Sequence, residues 1–149
     1  MLISECGLLI LNVNAQELKE RTKQFALRVM RLVDALPKTP KWRAIASQLV
    51  RSGTSVAANY RAACRGRSKA EFISKLGLAE EEADEAALWL ELIIADRLLP
   101  EKKVGSLLCE ANELTAILAA SYISASRPQQ PVPRNSQSAI RNQKSEIRI

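Results

Sequence analysis

Between Gln48 and Leu76 the chain reads QLVRSGTSVAANYRAACRGRSKAEFISKL. Two helix-favouring segments run together here through a short basic turn, and no other stretch constrains the fold as much. Apolar residues recur at helical spacing on both sides, with Leu49, Val56, Tyr60 and Ala63 before the turn and Phe72 and Leu76 after it. Gly66 is a helix stop. Ser68 followed three residues later by Glu71 has the pattern of a capping box, which satisfies the first free N–H groups of a new helix. The segment before Gly66 is basic and the segment after it is acidic.

The same signals extend in both directions. Asn14 with Glu17 is a second capping-box pattern, and Leu18, Thr22, Phe25, Val29, Leu32, Val33 and Leu36 follow at spacings of three and four. Pro37 ends that helix, Thr39 is the next N-cap, and Pro40 occupies the first helical position, where a missing N–H is harmless. Ser52, Gly53, Thr54 and Ser55 sit in the middle of the second helix. The glycine alone would weaken an isolated helix by about 1 kcal/mol, but small residues also permit close approach of a neighbour. Phe72, Leu76, Ala79, Ala83, Ala86, Ala87, Leu90 and Ile94 share one narrow arc. Pro100 starts a fourth helix, carried from Val104 to Tyr122.

Only five glycines and long runs of Ala, Leu, Glu, Arg and Lys favour helix over sheet. The expectation is therefore all-α: an antiparallel up-down-up-down four-helix bundle over residues 14–126, with helices near 15–36, 40–65, 69–98 and 101–124. Residues 1–13 read either as an extended arm or as translation from an upstream start codon. Residues 127–149 open with RPQQPV and end in two abutting imperfect heptads, Asn135–Arg141 and Asn142–Arg148. With so few large apolar residues this segment reads as a disordered basic tail.

Several functions are disfavoured. The chain has no histidine, which removes the usual general base, the usual triad and the commonest metal ligand. The Glu80–Glu85 cluster lacks the Glu-x-x-His pairs of a di-metal bundle. The reading is a non-enzyme with no metal site and no cofactor. Cysteines at 6, 64 and 109 form no CxxC pair, which reads as small buried thiols in a reducing cytosol. The apolar run Leu8–Leu11 falls far short of the ~20 residues of a membrane span, and no basic region precedes it as a secretory signal would require. The chain is expected to be cytoplasmic and free of membranes.

Charge is distributed unevenly. Residues 14–66 hold eleven Lys/Arg against three Asp/Glu, whereas residues 67–99 hold four against eight. With Arg43 at zero on a helical wheel, Arg61 falls at about 0°, Arg65 at about 40° and Arg51 at about 80°. Their apolar neighbours cluster at roughly 200–300°, so the arginines point away from the core. Arg21, Arg28 and Arg31 share a face of the first helix, and Arg67 lies in the turn. This face has two readings. One is a guanidinium ridge that neutralises nucleic-acid phosphates; the other is a solvated face paired with acidic Glu80, Glu81, Glu82, Asp84 and Glu85. Low aromatic content argues against base stacking or sequence readout.

A second stripe on the third helix, Leu78, Glu85, Trp89 and Leu92, lies outside its core arc. It reads either as a subunit contact or as the margin of a wide core. Asn59, Ser52 and Thr54 are expected to hydrogen-bond between packed helices rather than to catalyse.

The run quoted above closely resembles the signature LLRSGTS-x-AANY-RAA-RS-EF-I-KL of the four-helix-bundle proteins encoded in 23S rRNA intervening sequences. The likeness spans roughly Leu18 to Ser126. It implies the same bundle, and it implies homopentamers with a central channel, which favours the subunit-contact reading of Trp89. A structurally similar relative is the accessory protein of diversity-generating retroelements, a basic pentamer that associates with reverse transcriptase and nucleic acid. By resemblance, the expected partners are further copies of the chain, RNA or DNA, and a reverse transcriptase or similar enzyme. The competing expectation is a structural or protein-interaction module whose basic face meets an acidic protein.

Overall fold

The computed structural model describes residues 13–128, and four helices account for nearly all of them: α1 (Ala15–Asp34), α2 (Pro40–Cys64), α3 (Lys69–Ala95) and α4 (Glu101–Ser126). No strand occurs among the described residues. Each helix packs on its neighbour in sequence, and α1 closes the ring against α4. This is the four-helix bundle that the apolar periodicity predicts. The remainder of the expected N-terminal arm and the tail from residue 129 lie outside the described residues.

Local chemistry explains where the helices begin. Asn14 Oδ1 accepts from Glu17 N at 2.9 Å, and Glu17 Oε2 accepts from Asn14 N at 3.1 Å, completing the capping box. Ser68 Oγ accepts from Glu71 N at 3.1 Å, but the Glu71 carboxylate reaches Arg67 N at 2.8 Å rather than the cap residue itself. Thr39 and Pro100 occupy N-cap positions without a side-chain bond.

The ends hold two departures from expectation. Gly66 follows α2 without a positive φ. Its value is space, because a Cβ there would stand 3.0 Å from Ala63 O and 3.2 Å from Phe72 N. The left-handed position belongs instead to Arg97, at φ 55°. Leu98 N donates to Ile93 O at 3.1 Å and Arg97 N to Ile94 O at 2.9 Å. That is the bond pair of a Schellman motif, and it stops α3 at Ala95, three residues before the expected end.

The core is layered around α3. Ala79, Ala83 and Ala86 are fully buried along it, and their small side chains let α2 and α4 approach from either side. Leu76, Leu90 and Ile93 fill the same face, with Ile93 taking the deep place expected for Ile94. Phe25 and Val29 from α1, Leu49 and Val56 from α2, and Val104, Leu114 and Leu118 from α4 complete the interior. Tyr122, expected in this core, is 38% exposed and lies across Gly77. Cys64 is a free, half-buried thiol; Cys6 lies outside the described residues.

The small-residue segment of α2 does permit close approach. A Cβ on Gly53 would meet the Val29 methyls at 2.9 and 3.0 Å. Its polar neighbours behave differently from expectation. Ser52 Oγ bonds Gln48 O at 3.0 Å, Thr54 Oγ1 bonds Val50 O at 2.7 Å, and Asn59 Nδ2 bonds Ser55 O at 3.0 Å. Each satisfies itself on its own helix one turn back, which lets a polar group sit at a tight seam without a partner across it.

Candidate functional site

At about 100° per residue, Arg21 and Arg28 lie together on α1, with Lys19 and Lys23 on the opposite side. The fold turns these two faces to different neighbours. Arg21 spans the seam to α4, with Nε donating to Glu110 Oε1 at 2.7 Å and Nη2 to Glu110 Oε2 at 2.9 Å. Nη2 also meets the Glu113 carboxylate. These contacts, Glu110 foremost, hold the guanidinium pKa above its ordinary value. Arg28 Nη2 donates to Ser106 Oγ at 2.7 Å. Arg31 is exposed in the last turn of α1.

On α2, Arg51 leans toward α3. Its Nη2 donates to Glu85 Oε1 at 2.5 Å and its Nη1 to Glu82 Oε1 at 3.3 Å. Glu85 Oε1 also accepts the Trp89 indole N–H at 3.1 Å. That indole bond does most to hold the Glu85 carboxyl below the usual carboxylate range, with Arg51 adding to it and desolvation opposing. Arg43, Arg61, Arg65 and Arg67 are exposed and make no ion pair among the described residues. Arg43 stands at the far end of α2, about 27 Å from Arg61 at about 1.5 Å per residue. The eight arginines marked by the sequence therefore do not form one surface.

What the fold does bring together is a cationic groove at one end of the α1–α2 seam. Lys19 and Lys23 from α1 face Arg61 and Arg65 from α2 across an open hollow of about 320 Å³. Glu20 is the one carboxylate in its wall, 3.8 Å from the Lys23 ammonium. Lys19 also borders a second hollow of about 680 Å³, which continues round the bundle end past Arg67 and Lys69 to Tyr60 and Phe72. Those two rings in turn border a third, mainly apolar hollow of about 410 Å³. Burial first, then hydrogen bonding with the Cys64 sulfur, keeps the Tyr60 phenol pKa raised.

Lys19 and Lys23 were missed by a reading centred on arginine, and Lys69, at the basic turn, was not assigned a role. A signal for the first two was present, since Gln16, Lys19, Glu20 and Lys23 follow the i, i+3, i+4, i+7 spacing of a single helix face.

The stripe on α3 divides in two. Leu78 and Leu92 are 41% and 40% exposed, and Leu88, beside them, is 49% exposed. Trp89 is half-buried against the core with its indole N–H satisfied. Among the described residues, no helix is long and apolar enough to cross a membrane.

Fold and surface together define a small all-α bundle with a cationic end and an acidic, partly apolar α3. The chain belongs to the 23S rRNA-intervening sequence protein family, whose model matches residues 15–120. It is also similar to a crystal structure of a protein of unknown function from the S23 ribosomal protein family of Bacteroides thetaiotaomicron. The two share 32% sequence identity over 73% of this chain and 97% of that one, with a TM-score of 0.68. No curated protein matches the chain.

Proposed function

We propose that this protein is a non-enzymatic, self-associating bundle of the cytoplasm that binds nucleic acid or a ribonucleoprotein through the cationic surface of α1 and α2. The observation that carries the reading is the convergence of Lys19, Lys23, Arg61 and Arg65 on one open groove with a single carboxylate among them. Arg67 and Lys69 extend the same potential round the bundle end. Lysine and arginine side chains held this close favour a polyanion, and phosphate contacts of this kind position a ligand without reading its sequence. Arg31 and Arg43 lie at the other end of the α1–α2 hairpin and add a weaker, separate contact. Arg21 and Arg51 serve the helix seams.

The family's name links it to an rRNA insertion, and the resemblance to retroelement accessory proteins points to a pentamer that works beside a reverse transcriptase. In such a ring each groove would be repeated, and weak phosphate contacts would add up to avidity. The exposed α3 face of Leu78, Leu88 and Leu92, with Trp89 and Glu85 at its edge, is the surface assigned to self-association.

The test is binding of structured RNA and duplex DNA to the wild type and to a Lys19→Gln, Lys23→Gln, Arg61→Gln, Arg65→Gln variant at two salt concentrations. The wild type should bind with an affinity that falls steeply with salt, and the variant should show a flatter slope. Equal binding by both proteins would return the surface to the competing reading, a protein-interaction module. For Arg21 and Arg51 the contacts to Glu110 and Glu113 and to Glu82 and Glu85 support ion pairing within the bundle instead.

A further inference from the structure

The cationic groove does not end in open surface. It runs, through Lys19, into a hollow whose other walls include the Tyr60 and Phe72 rings. Resting on the reading that this surface meets nucleic acid, we propose that the end of the bundle where α1, α2 and α3 meet is a site for an unpaired nucleotide. The cations would hold its phosphates, and the hollow beside Phe72 would take its base.

Three features support this assignment. The first is chemistry. A nucleotide unit joins an anion to a flat apolar ring, and it needs cations and an aromatic wall within a few ångströms of each other. Lys19, Arg67 and Lys69 share one hollow with Tyr60 and Phe72. The second is size, because about 680 Å³ falls within the roughly 300–1,000 Å³ of small-molecule sites. The third is access, because the hollow is open to solvent and Gly66 stands in its wall.

Phe72 is half-buried on the core's edge, so its ring is anchored while part of it remains available. Tyr60 is only 6% exposed and acts as a wall rather than a stacking platform. A base inside a duplex is stacked on its neighbours and cannot enter, so the site distinguishes loops and single strands from blunt duplex. This preference is for unpairedness, and it does not require any base to be read.

The experiment measures fluorescence anisotropy of full-length protein at about 0.1 M salt with a labelled RNA hairpin carrying an unpaired loop and with a blunt duplex of the same stem. Wild type should bind the loop about tenfold more tightly, as one stacked base provides. Phe72→Leu, which keeps an apolar side chain at the core edge, should lose that preference while holding its affinity for the duplex. The fourfold Gln variant described above should lose affinity for both. A 2-aminopurine placed in the loop should change its emission on binding wild type.

Equal wild-type affinity for loop and duplex, or an unchanged 2-aminopurine signal, overturns the nucleotide site. So does a Phe72→Leu protein of normal helicity that keeps the preference. If in those cases the fourfold variant still binds more weakly than wild type, the cationic-surface reading stands alone. If the fourfold variant binds like wild type, both fall. Should Phe72→Leu fail to fold, the 2-aminopurine signal with wild type decides the matter.

Discussion

Gly53 of α2 and Val29 of α1 touch at the closest helix–helix approach in the bundle that a missing side chain permits: a Cβ on Gly53 would stand 2.9 Å from one Val29 methyl and 3.2 Å from Val29 Cβ itself. Both residues are buried, and the branch at Val29 Cβ leaves little rotational escape. In an exposed helix, Gly→Ala would stabilise by about 1 kcal/mol. Here overpacking outweighs that gain, and Gly53→Ala is expected to destabilise the protein by about 1–2 kcal/mol. Urea titration reads this directly, and a raised midpoint would contradict it.

Arg97 is the opposite case. It holds a left-handed backbone, φ 55°, at the position after the α3 cap where glycine is the usual occupant. The side chain is exposed, so little packing is lost on its removal. Arg97→Gly should stabilise the protein by about 0.5–1 kcal/mol, the relieved backbone strain exceeding the added freedom of the unfolded chain. A lower melting temperature for the variant would show that the Arg97 side chain has a role that its surroundings do not reveal.

Glu85 gives the bundle a specific acid response. Its pKa is lowered in the folded state, chiefly by the Trp89 indole and then by Arg51. A depressed carboxyl pKa contributes stability above the unfolded value of about 4.3, and that contribution is lost as pH falls through the folded value. Glu85→Gln should therefore be less stable than wild type at neutral pH, and the gap should close below about pH 4. Denaturation midpoints for both proteins at neutral and acid pH test this. A gap of the same size in both conditions would mean that the mutation acts by packing.

Arg21 sits between two carboxylates, with its own side chain 24% exposed and theirs 16% each. Removing the guanidinium leaves Glu110 and Glu113 facing each other in a poorly hydrated seam. Arg21→Met should cost about 1–2 kcal/mol, less than a fully buried pair because water still screens the site. Adding Glu110→Gln and Glu113→Gln to that variant should recover much of the loss. Thermal unfolding of the single and triple variants checks the pattern, and additive losses would exclude the clasp.

Self-association through α3 predicts that Leu92→Glu lowers the mass measured by light scattering at tens of micromolar while leaving helicity unchanged. Leu92 is 40% exposed, so a carboxylate there costs the isolated subunit little. A monomeric wild type, or an unaffected assembly, would remove this surface from consideration.

The helices were legible because periodicity is a one-dimensional signal: Leu18, Phe25, Val29, Leu76 and Leu114 each repeat at helical spacing and each is buried. The end of α3 was less legible, since Asp96 and Arg97 carry no glycine to mark a left-handed turn. Tyr122 was misplaced for a related reason. Its spacing fits the α4 stripe, but only the neighbouring helix decides whether a ring goes under Gly77 or over it. The cationic groove was half legible. The wheel put Arg61 and Arg65 on one side of α2, but their companions Lys19 and Lys23 belong to another helix, and no periodicity within a helix pairs two faces. The partners of Arg21 were beyond reach for the same reason, with Glu110 and Glu113 far along the chain.

The Arg21 clasp bears on how the ring of helices opens. The α1–α4 seam is the most sparsely packed of the four, and its polar fastenings are Arg21 with two carboxylates and Arg28 with a hydroxyl. Apolar seams are not screened by salt, whereas charge-based fastenings slacken as counterions gather. The bundle thus has a weakest edge, and raised salt is expected to loosen α1 from α4 before any other seam. Salt then acts on this protein twice over: at its cationic surface, and on the rate at which its interior meets water.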